Sequence, residues 1–489
     1  MAKEQYLAAT ALGRGAAAQR LGARSAIAGS RRVNDETTAG LMETMCRIRQ
    51  SQPELGKSEA LRQAALCALL QSGVPPSIRS RALILFLVAA LAVLAYAPLF
   101  TQPFVQDDYP DIEMARVFGA PAGLGAMLSH PIFRYRATWW VMAYWTDRIF
   151  GFSPAAAYSV TIALHIVCAW LVYALGAWKA IGWRVSGAAA AFFAVYEGHQ
   201  EAVMWYNSAH EELLFLFGVA AFLAWVKFLD GGSWRWYAAS LAAFPLALVS
   251  KETAVVFALL LLVPMALQGR RRFGLWLPFA LMAAVEVSLL LGVRSYSFRF
   301  HDGSFSLHAP FWITWPESYL RLLWVWGLLA IVALLGLRAV QYRRAAILAA
   351  VWIGMALVPY SFITYMHRLP SRHTYLASAG LALLVGAGFV ALRDRVGLRW
   401  ALAAASLAIA VNVGILWTKK RQQFLERAAP TECLIALARQ VNGPIYMRCF
   451  PDPGMIADSA VRMRAPGTTL IWDAARAGEA KAEFCYVRK

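Results

Sequence analysis

The sequence predicts an all-α, multi-pass integral membrane protein, with about eleven transmembrane helices. Three observations predict it. Of its 489 residues 60% are hydrophobic and only 15% charged, and the mean hydropathy is +0.50; soluble domains carry roughly 45–50% apolar and about 25% charged residues. Apolar runs that approach the roughly 20 residues needed for a span recur from residue 82 to residue 417. Short Lys and Arg clusters fall between alternate runs, which is the positive-inside pattern. The 19 Trp and 18 Tyr suit a chain that meets lipid interfaces many times. Because the net charge of +19 lies mostly in these clusters, it points to membrane lipids, anionic headgroups among them, and not to nucleic acid.

Residues 1–80 read as a soluble N-terminal region. "NDETTAGLMETMCRI" and "SEALRQAALCALLQS" pattern as two amphipathic helices, and "SGVPPSIRSR" as the linker that follows. The first twenty residues lack a basic-then-apolar signal layout, so the run from residue 82 is expected to direct insertion itself. The 6 Cys show no zinc-type spacing.

The membrane domain spans residues 81–420. Its apolar runs lie near 82–100, 155–177, 184–198, 209–229, 234–250, 253–268, 273–293, 320–338, 344–364, 373–392 and 399–417. With the N-terminus cytoplasmic, the inside connections include "WKAIGWR", "GRRRF", "RAVQYRR" and "RDRVGLR", all basic. The outside connections hold most of the acidic and His residues. "KKRQQ" after the last run breaks the rule, but earlier spans orient later ones, so the C-terminus is expected outside a cytoplasmic (inner) membrane. "RYRATWWVMAYWTDRIFG" reads as a helix lying in the outer interface, since Trp139, Met142, Trp145 and Ile149 recur at helical intervals while Asp147 and Arg148 resist insertion. Residues 421–489 read as a small extracytoplasmic domain whose stretches "GPIYMRCF", "GTTLIWD" and "AEFCYVRK" alternate like short strands. Outside the cell a disulfide is permitted; Cys433 with Cys449 is the first pairing expected, with Cys485 the alternative partner.

Four outer elements bring chemistry-bearing residues to one side. The first is the acidic pair Asp107 and Asp108. The second is "EGHQEAVMWYNSAHEE", with Glu197, His199, Glu201, His210, Glu211 and Glu212. The third is Lys251 with Glu252, and the fourth is "HRLPSRHTYLAS", with His367, Arg368, Arg372, His373 and Tyr375. Together they can form a cleft that holds an anionic group beside a base. Each has a plainer reading: Asp107 and Asp108 as helix caps, Lys251 and Glu252 as a self-neutralising pair, Arg368 and Arg372 as headgroup anchors. His199, Glu201 and His210 also offer nitrogen and oxygen ligands to a divalent metal; whether one is used stays open, and no other cofactor is called for. Two touching, partly desolvated carboxylates do not both ionise cheaply, so Asp107 and Asp108 are expected to differ in pKa.

The order and content of these elements resemble the GT-C glycosyltransferases, and within them the protein O-mannosyltransferase and transmembrane-TPR mannosyltransferase group. The resemblance covers roughly residues 82–420. It rests on "FVQDDYPDI", "RATWWVMAYWTDRIFGFSPAAAYSVTIALH", "GHQEAVMW", "LVSKETAVVF" and "SRHTYLASAG". His373 stands where the family usually has Tyr and Ala377 where it has Pro, and no TPR repeats follow. The resemblance implies an inverting transfer of a sugar from a polyprenyl-phosphate donor to a hydroxyl acceptor of unknown identity. Asp107 would be the general base with Asp108 beside it, and His199, Glu201, Lys251, Glu252, Arg368, Arg372 and Tyr375 would line the substrate site. The other reading is a non-catalytic transporter or flippase of lipid-linked glycans, which needs charge buried mid-span. Residues 20–72 resemble the C-terminal end of a CHAT domain, a caspase-like fold. Residues 1–19 hold neither the His nor the Cys of such a peptidase, so the stretch reads as a remnant of a fusion or an over-extended start, without peptidase activity.

Overall fold

The computed structural model describes residues 50–51, 78–130, 133–268, 273–292, 310–362 and 371–487. The chain divides into two units, Met1–Pro75 and Pro76–Lys489. Of the first, only residues 50–51 are described, and they are helical, so the CHAT-like stretch lies almost wholly outside the described residues.

The second unit is built of helices. Those that matter here are α1 (Ile78–Tyr96), α2 (Asp108–Phe118), α3 (Ala137–Phe150), α4 (Pro154–Ala174), α5 (Trp183–Val195), α6 (His210–Leu229), α7 (Trp234–Leu248), α8 (Phe273–Gly292), α9 (Phe311–Leu323), α10 (Trp326–Gly336), α11 (Arg343–Leu357), α12 (Tyr375–Arg395), α13 (Leu398–Ile415), α14 (Arg421–Val441) and α15 (Gly454–Arg464). Every one of the eleven predicted runs falls largely on helical residues. Length separates them. Among the described residues seven helices are long and apolar enough to cross a membrane, and eight if α9 and α10, which meet at 72°, form one broken span. α5, with 13 residues, rises about 20 Å, and α7, with 15, about 22 Å, against a hydrocarbon layer of about 30 Å. Apolar composition alone does not distinguish a short buried helix such as α5 from a span.

The spans differ in what covers them. The one at Ser371–Arg395, built on α12, is 83% buried inside the protein, whereas that at Phe273–Leu290 is 11% buried and leaves Phe273, Leu277, Leu281, Val285 and Leu289 exposed. α12 reaches the centre because small residues let backbones approach it. A Cβ on Gly386 would come 2.4 Å from the Val185 carbonyl oxygen of α5, and one on Gly380 would come 2.6 Å from that of Ala349 in α11. In α3, Trp139, Trp140 and Ala143 pack inward while Trp145, Ile149 and Phe150 stay exposed, which suits a helix that rests on the bundle and presents an apolar edge.

The helix that carries the last apolar run does not stop with it near residue 417. α13 runs through a π-turn at Leu416–Lys420 straight into α14, so that one helical rod carries the chain from the apolar bundle into the C-terminal domain. There β1 (Ile445–Cys449) pairs in parallel with β2 (Leu470–Ile471) on one side and β3 (Ala482–Cys485) on the other. Leu434 and Ala438 of α14, Val461 of α15 and Ile445, Met447 and Phe484 of the sheet form its core.

The disulfide corrects the expected pairing. Cys449 is bonded to Cys485, its partner in the β1–β3 register, and Cys433 is a free, exposed thiol on α14. Strand register chose between the two, and register is a long-range property. The bridge closes a loop of 36 residues. Cys449→Ser is expected to lower the stability of this domain by about 3–4 kcal/mol, read as an earlier unfolding transition in urea. An unchanged midpoint would contradict a native Cys449–Cys485 bond.

Candidate functional site

The acidic loop is built from α1 outward. After a 3-10 turn at Ala97–Thr101, the Gln102 side chain donates through Nε2 to the Met204 carbonyl (2.8 Å) and to the Tyr158 hydroxyl (3.2 Å), and Tyr158 donates to the Pro103 carbonyl (3.0 Å). Phe104 packs among Tyr109, Phe152, Tyr158 and Tyr206. These anchors leave a short stretch in which Gln106 takes a left-handed backbone, φ 45°, uncommon for a residue with a side chain. Its amide donates to Asp452 Oδ1 of the C-terminal domain at 2.7 Å. Two more links tie α2 to the same region: Tyr109 donates to Glu432 (2.9 Å) and Arg462 to Glu113 (2.8 Å).

The two carboxylates have different surroundings. Asp108 is fully buried and accepts the backbone N–H of Val105 (2.9 Å) and of Asn207 (2.8 Å), so it joins its own loop to the segment that follows Glu201. Asp107 occupies the N-cap position of α2, yet its side chain makes no capping bond, and it is half-buried. Burial pushes the Asp108 carboxyl up to about 8, against the pull of the two backbone N–H groups, with Asp107 and Asp111 pushing further. Burial also raises Asp107; the Arg372 and Arg136 guanidiniums oppose the rise and Asp452 adds to it. Asp107 therefore lies in the electrostatic field of two cations and a second carboxylate.

Glu201 gathers the cations. Its Oε2 accepts from Ser371 Oγ (3.2 Å) and the Arg372 backbone N–H (3.4 Å), with Arg372 Nη1 at 3.9 Å, and its Oε1 accepts from Arg427 Nη2 (3.2 Å). The Trp205 ring lies beneath both guanidiniums, 5.2 Å from Arg372 and 5.8 Å from Arg427. Burial works to raise the Glu201 carboxyl, but Arg372 and Arg427 outweigh it and hold it below the usual range.

Other predicted residues are engaged elsewhere. Lys251 is fully buried and pairs with Glu211 of α6, not with its neighbour Glu252. His373 Nδ1 lies 3.0 Å from Glu211 and 3.2 Å from Lys251, Tyr360 donates to the other Glu211 oxygen (3.1 Å), and the Tyr360 ring stacks on His373. His210, next to Glu211 in sequence, has Nδ1 3.3 Å from Arg136 of the turn that precedes α3. Glu252 opens the 3-10 turn after Lys251 and is half-buried. His199 and Tyr375 point inward: His199 Nε2 is 2.6 Å from Ser378 Oγ and the Tyr375 hydroxyl 2.8 Å from His165 Nδ1, both within an aromatic cluster around Phe193. Arg368 and His367 lie outside the described residues. Among the described residues, no group of three or more His, Cys, Asp or Glu side chains is set to hold a metal ion.

The structure thus brings Asp107, Asp108, Glu201 and Arg372 together with Arg136, Arg427 and Asp452. Arg427 and Asp452 belong to the C-terminal rod and domain, which sequence reading assigned no part. The available signal is the polar, charged continuation "RQQFLERAAPTE" directly after an apolar run.

A family model described as dolichyl-phosphate-mannose-protein mannosyltransferase matches residues 130–293. Among solved structures, the oligosaccharyltransferase of Archaeoglobus fulgidus tethered to an acceptor peptide superposes with a TM-score of 0.50 at 10% identity, over 82% of this chain and 65% of that one. The chain resembles the GT-C glycosyltransferases. It spans about two thirds of the length of that archaeal enzyme, 65%. ArnT from Cupriavidus metallidurans bound to undecaprenyl phosphate is a further match, with a TM-score of 0.47 at 14% identity, over 80% of this chain and 86% of that one. A CHAT domain model matches residues 7–142, a stretch that runs on through α1, α2 and the first turn of α3. No curated protein sequence matches.

Proposed function

We propose that this protein is a membrane glycosyltransferase that passes a sugar from a polyprenyl-phosphate-linked donor to a hydroxyl, at the outer face of the cytoplasmic membrane. The observation that carries the reading is an uncapped, half-buried carboxylate, Asp107, in the electrostatic field of the Arg372 and Arg136 guanidiniums, with Arg372 held by Glu201. The family whose model matches residues 130–293 is named for a polyprenyl-phosphate sugar donor. In the proposed reaction, Asp107 takes the acceptor hydroxyl's proton as that oxygen bonds to the anomeric carbon. The bond from that carbon to the phosphate oxygen breaks, and the polyprenyl phosphate leaves with the electron pair. Arg372 and Arg136 meet the charge that develops on it. Attack opposite the leaving group inverts the anomeric centre. Asp108 holds the loop, and Glu201 orients Arg372 and Arg427. Transfer of label from a polyprenyl-phosphate hexose to a membrane acceptor, present with the wild type and lost in Asp107→Asn, tests the reading.

The flippase reading draws on the buried Lys251–Glu211–His373 cluster and on Glu212, whose two oxygens are buried without a hydrogen-bond partner. Glu211 and Glu212 lie in the first turn of α6, at the end of a span and not in its middle. That position favours the transferase.

Two further results are expected. A raised Asp107 pKa means the base form appears only above the ordinary carboxylate range, so kcat/KM rises with pH through that raised value. Asp452→Asn keeps an oxygen for Gln106 to donate to but removes the negative charge that adds to the rise. The acidic limb of the profile should then move to lower pH; an unmoved limb would rule out Asp107 as the titrating group. The proposed topology puts Cys433, free and exposed, outside the cell. An impermeant maleimide should label it in intact cells and fail to label Cys433→Ser. Labelling only after permeabilisation would reverse the orientation.

A further inference from the structure

A cavity of about 490 Å³ opens behind the acidic helix, lined among others by Phe100, Gln102, Pro154, Glu432, Arg439 and Arg464. Its lining includes none of Asp107, Asp108, Glu201, Arg372 or Arg427. We propose that this cavity binds the headgroup of a zwitterionic phospholipid, one that joins a phosphate to a primary ammonium.

Four features converge on that chemistry. The first is place. Phe100 lies at the end of the span Ser80–Thr101, and Pro154 opens the span Pro154–Ala177, so the cavity sits where two spans leave the apolar layer, the level of lipid headgroups. The second is positive charge. Arg439 and Arg464 line it, with Arg464 set over the Phe152 ring at 4.6 Å. Ser153, Pro154 and Ala155 add the start of α4, a helix of 21 residues whose N-terminal end favours an anion. Together they suit a phosphate.

The third is negative charge in the same cavity. Glu432 accepts from Tyr109 at one oxygen and supplies a carboxylate that a simple anion site would not carry, but that an ammonium a few atoms from the phosphate would satisfy. The fourth is an unmet acceptor. Gln102 is 3% exposed; its Nε2 is committed to Met204 and Tyr158, which fixes the amide's orientation, and its Oε1 is buried with no partner. A buried acceptor left unpaired is costly, and because Gln102 lines the cavity, a small shift of its side chain toward a bound ammonium would satisfy it. The apolar members Phe100, Pro103, Pro154 and Ile435 give the glycerol and the first acyl carbons a dry wall. A soluble phosphate compound shares the polar chemistry but has no use for that wall.

The test uses the full-length protein purified in detergent and read by native mass spectrometry and thermal unfolding. The probes are short-chain phosphatidylethanolamine, phosphatidylglycerol and phosphatidylcholine, free O-phosphoethanolamine, and inorganic phosphate. The expected result is a saturable rise of the unfolding temperature and a retained adduct with phosphatidylethanolamine, at least tenfold weaker with the other two lipids and absent with the soluble compounds. Arg439→Glu, at an exposed position, should abolish both responses, and Arg464→Gln should weaken them, with the lipid-free unfolding temperature of Arg439→Glu unchanged. Equal responses to O-phosphoethanolamine would overturn the lipid assignment. No saturable response, or one that survives in Arg439→Glu, would overturn the site. Neither readout depends on sugar transfer, so failure here leaves the transferase reading standing, and failure of the transferase reading leaves this one.

Discussion

Asp107→Asn is expected to lower sugar transfer by about 10²–10⁴-fold while leaving expression and membrane insertion intact. The side chain keeps its size, makes no capping bond to lose, and is half-buried, so the fold has little stake in its charge. The chemistry has all of it. In the proposed reaction an amide cannot take the hydroxyl proton, while Arg372 and Arg136 would still meet the phosphate. Binding of the donor should therefore persist while turnover fails. Asp108→Asn should behave differently. Both Asp108 oxygens accept backbone N–H groups, and an amide sets an NH₂ against one of them. Its loss of activity should come with a less stable loop. Transfer assays in membranes from a strain without the wild-type copy, with protein level measured alongside, separate the two. Near-normal transfer by Asp107→Asn would remove Asp107 from the base role.

The second large effect is on folding. Lys251→Met leaves the Glu211 carboxylate buried without its cation, and removing one partner of a buried pair costs roughly 3–5 kcal/mol. The single variant should accumulate poorly or unfold at markedly lower temperature. Lys251→Met combined with Glu211→Gln should regain much of that stability, since no unpaired charge remains and Tyr360 and His373 still have polar partners. If Lys251 instead contacts substrate phosphate, the single variant would be stable and inactive, and the second substitution would change nothing. This cluster is where the sequence misleads most readily, because Lys251 and Glu252 are adjacent and read as a pair, while the actual partner lies 40 residues away.

What was legible in the sequence followed from short-range pattern. The apolar runs, the interfacial edge of α3 and the strand-like alternation after residue 443 each express a local period, and the helices and strands fall on those stretches. The acidic pair stands out because two adjacent carboxylates beside a span are expensive unless used. What was not legible depends on where distant segments meet. Arg427 reaches Glu201 across 226 positions, and Asp452 reaches Gln106 across 346. The charged stretch after the last apolar run draws attention to the region of Arg427 but not to its partner, and no local pattern marks Asp452. His199 and Tyr375 differ in the opposite sense: their motifs suggested a place in the substrate site, and both side chains turn into an aromatic interior, His199 to Ser378 and Tyr375 to His165. Composition could not set the number of spans either, since α5 is apolar enough and simply too short.

The central claim is that this chain moves a sugar onto a hydroxyl, using Asp107 as base. Mass analysis of cell-surface glycans tests it most directly, comparing a deletion strain with the same strain carrying the wild type or Asp107→Asn. The account predicts that one glycan class loses the mass of a single sugar in the deletion strain, regains it with the wild type, and does not regain it with Asp107→Asn. Glycans that are identical in all three strains, or that Asp107→Asn restores as fully as the wild type, would contradict it.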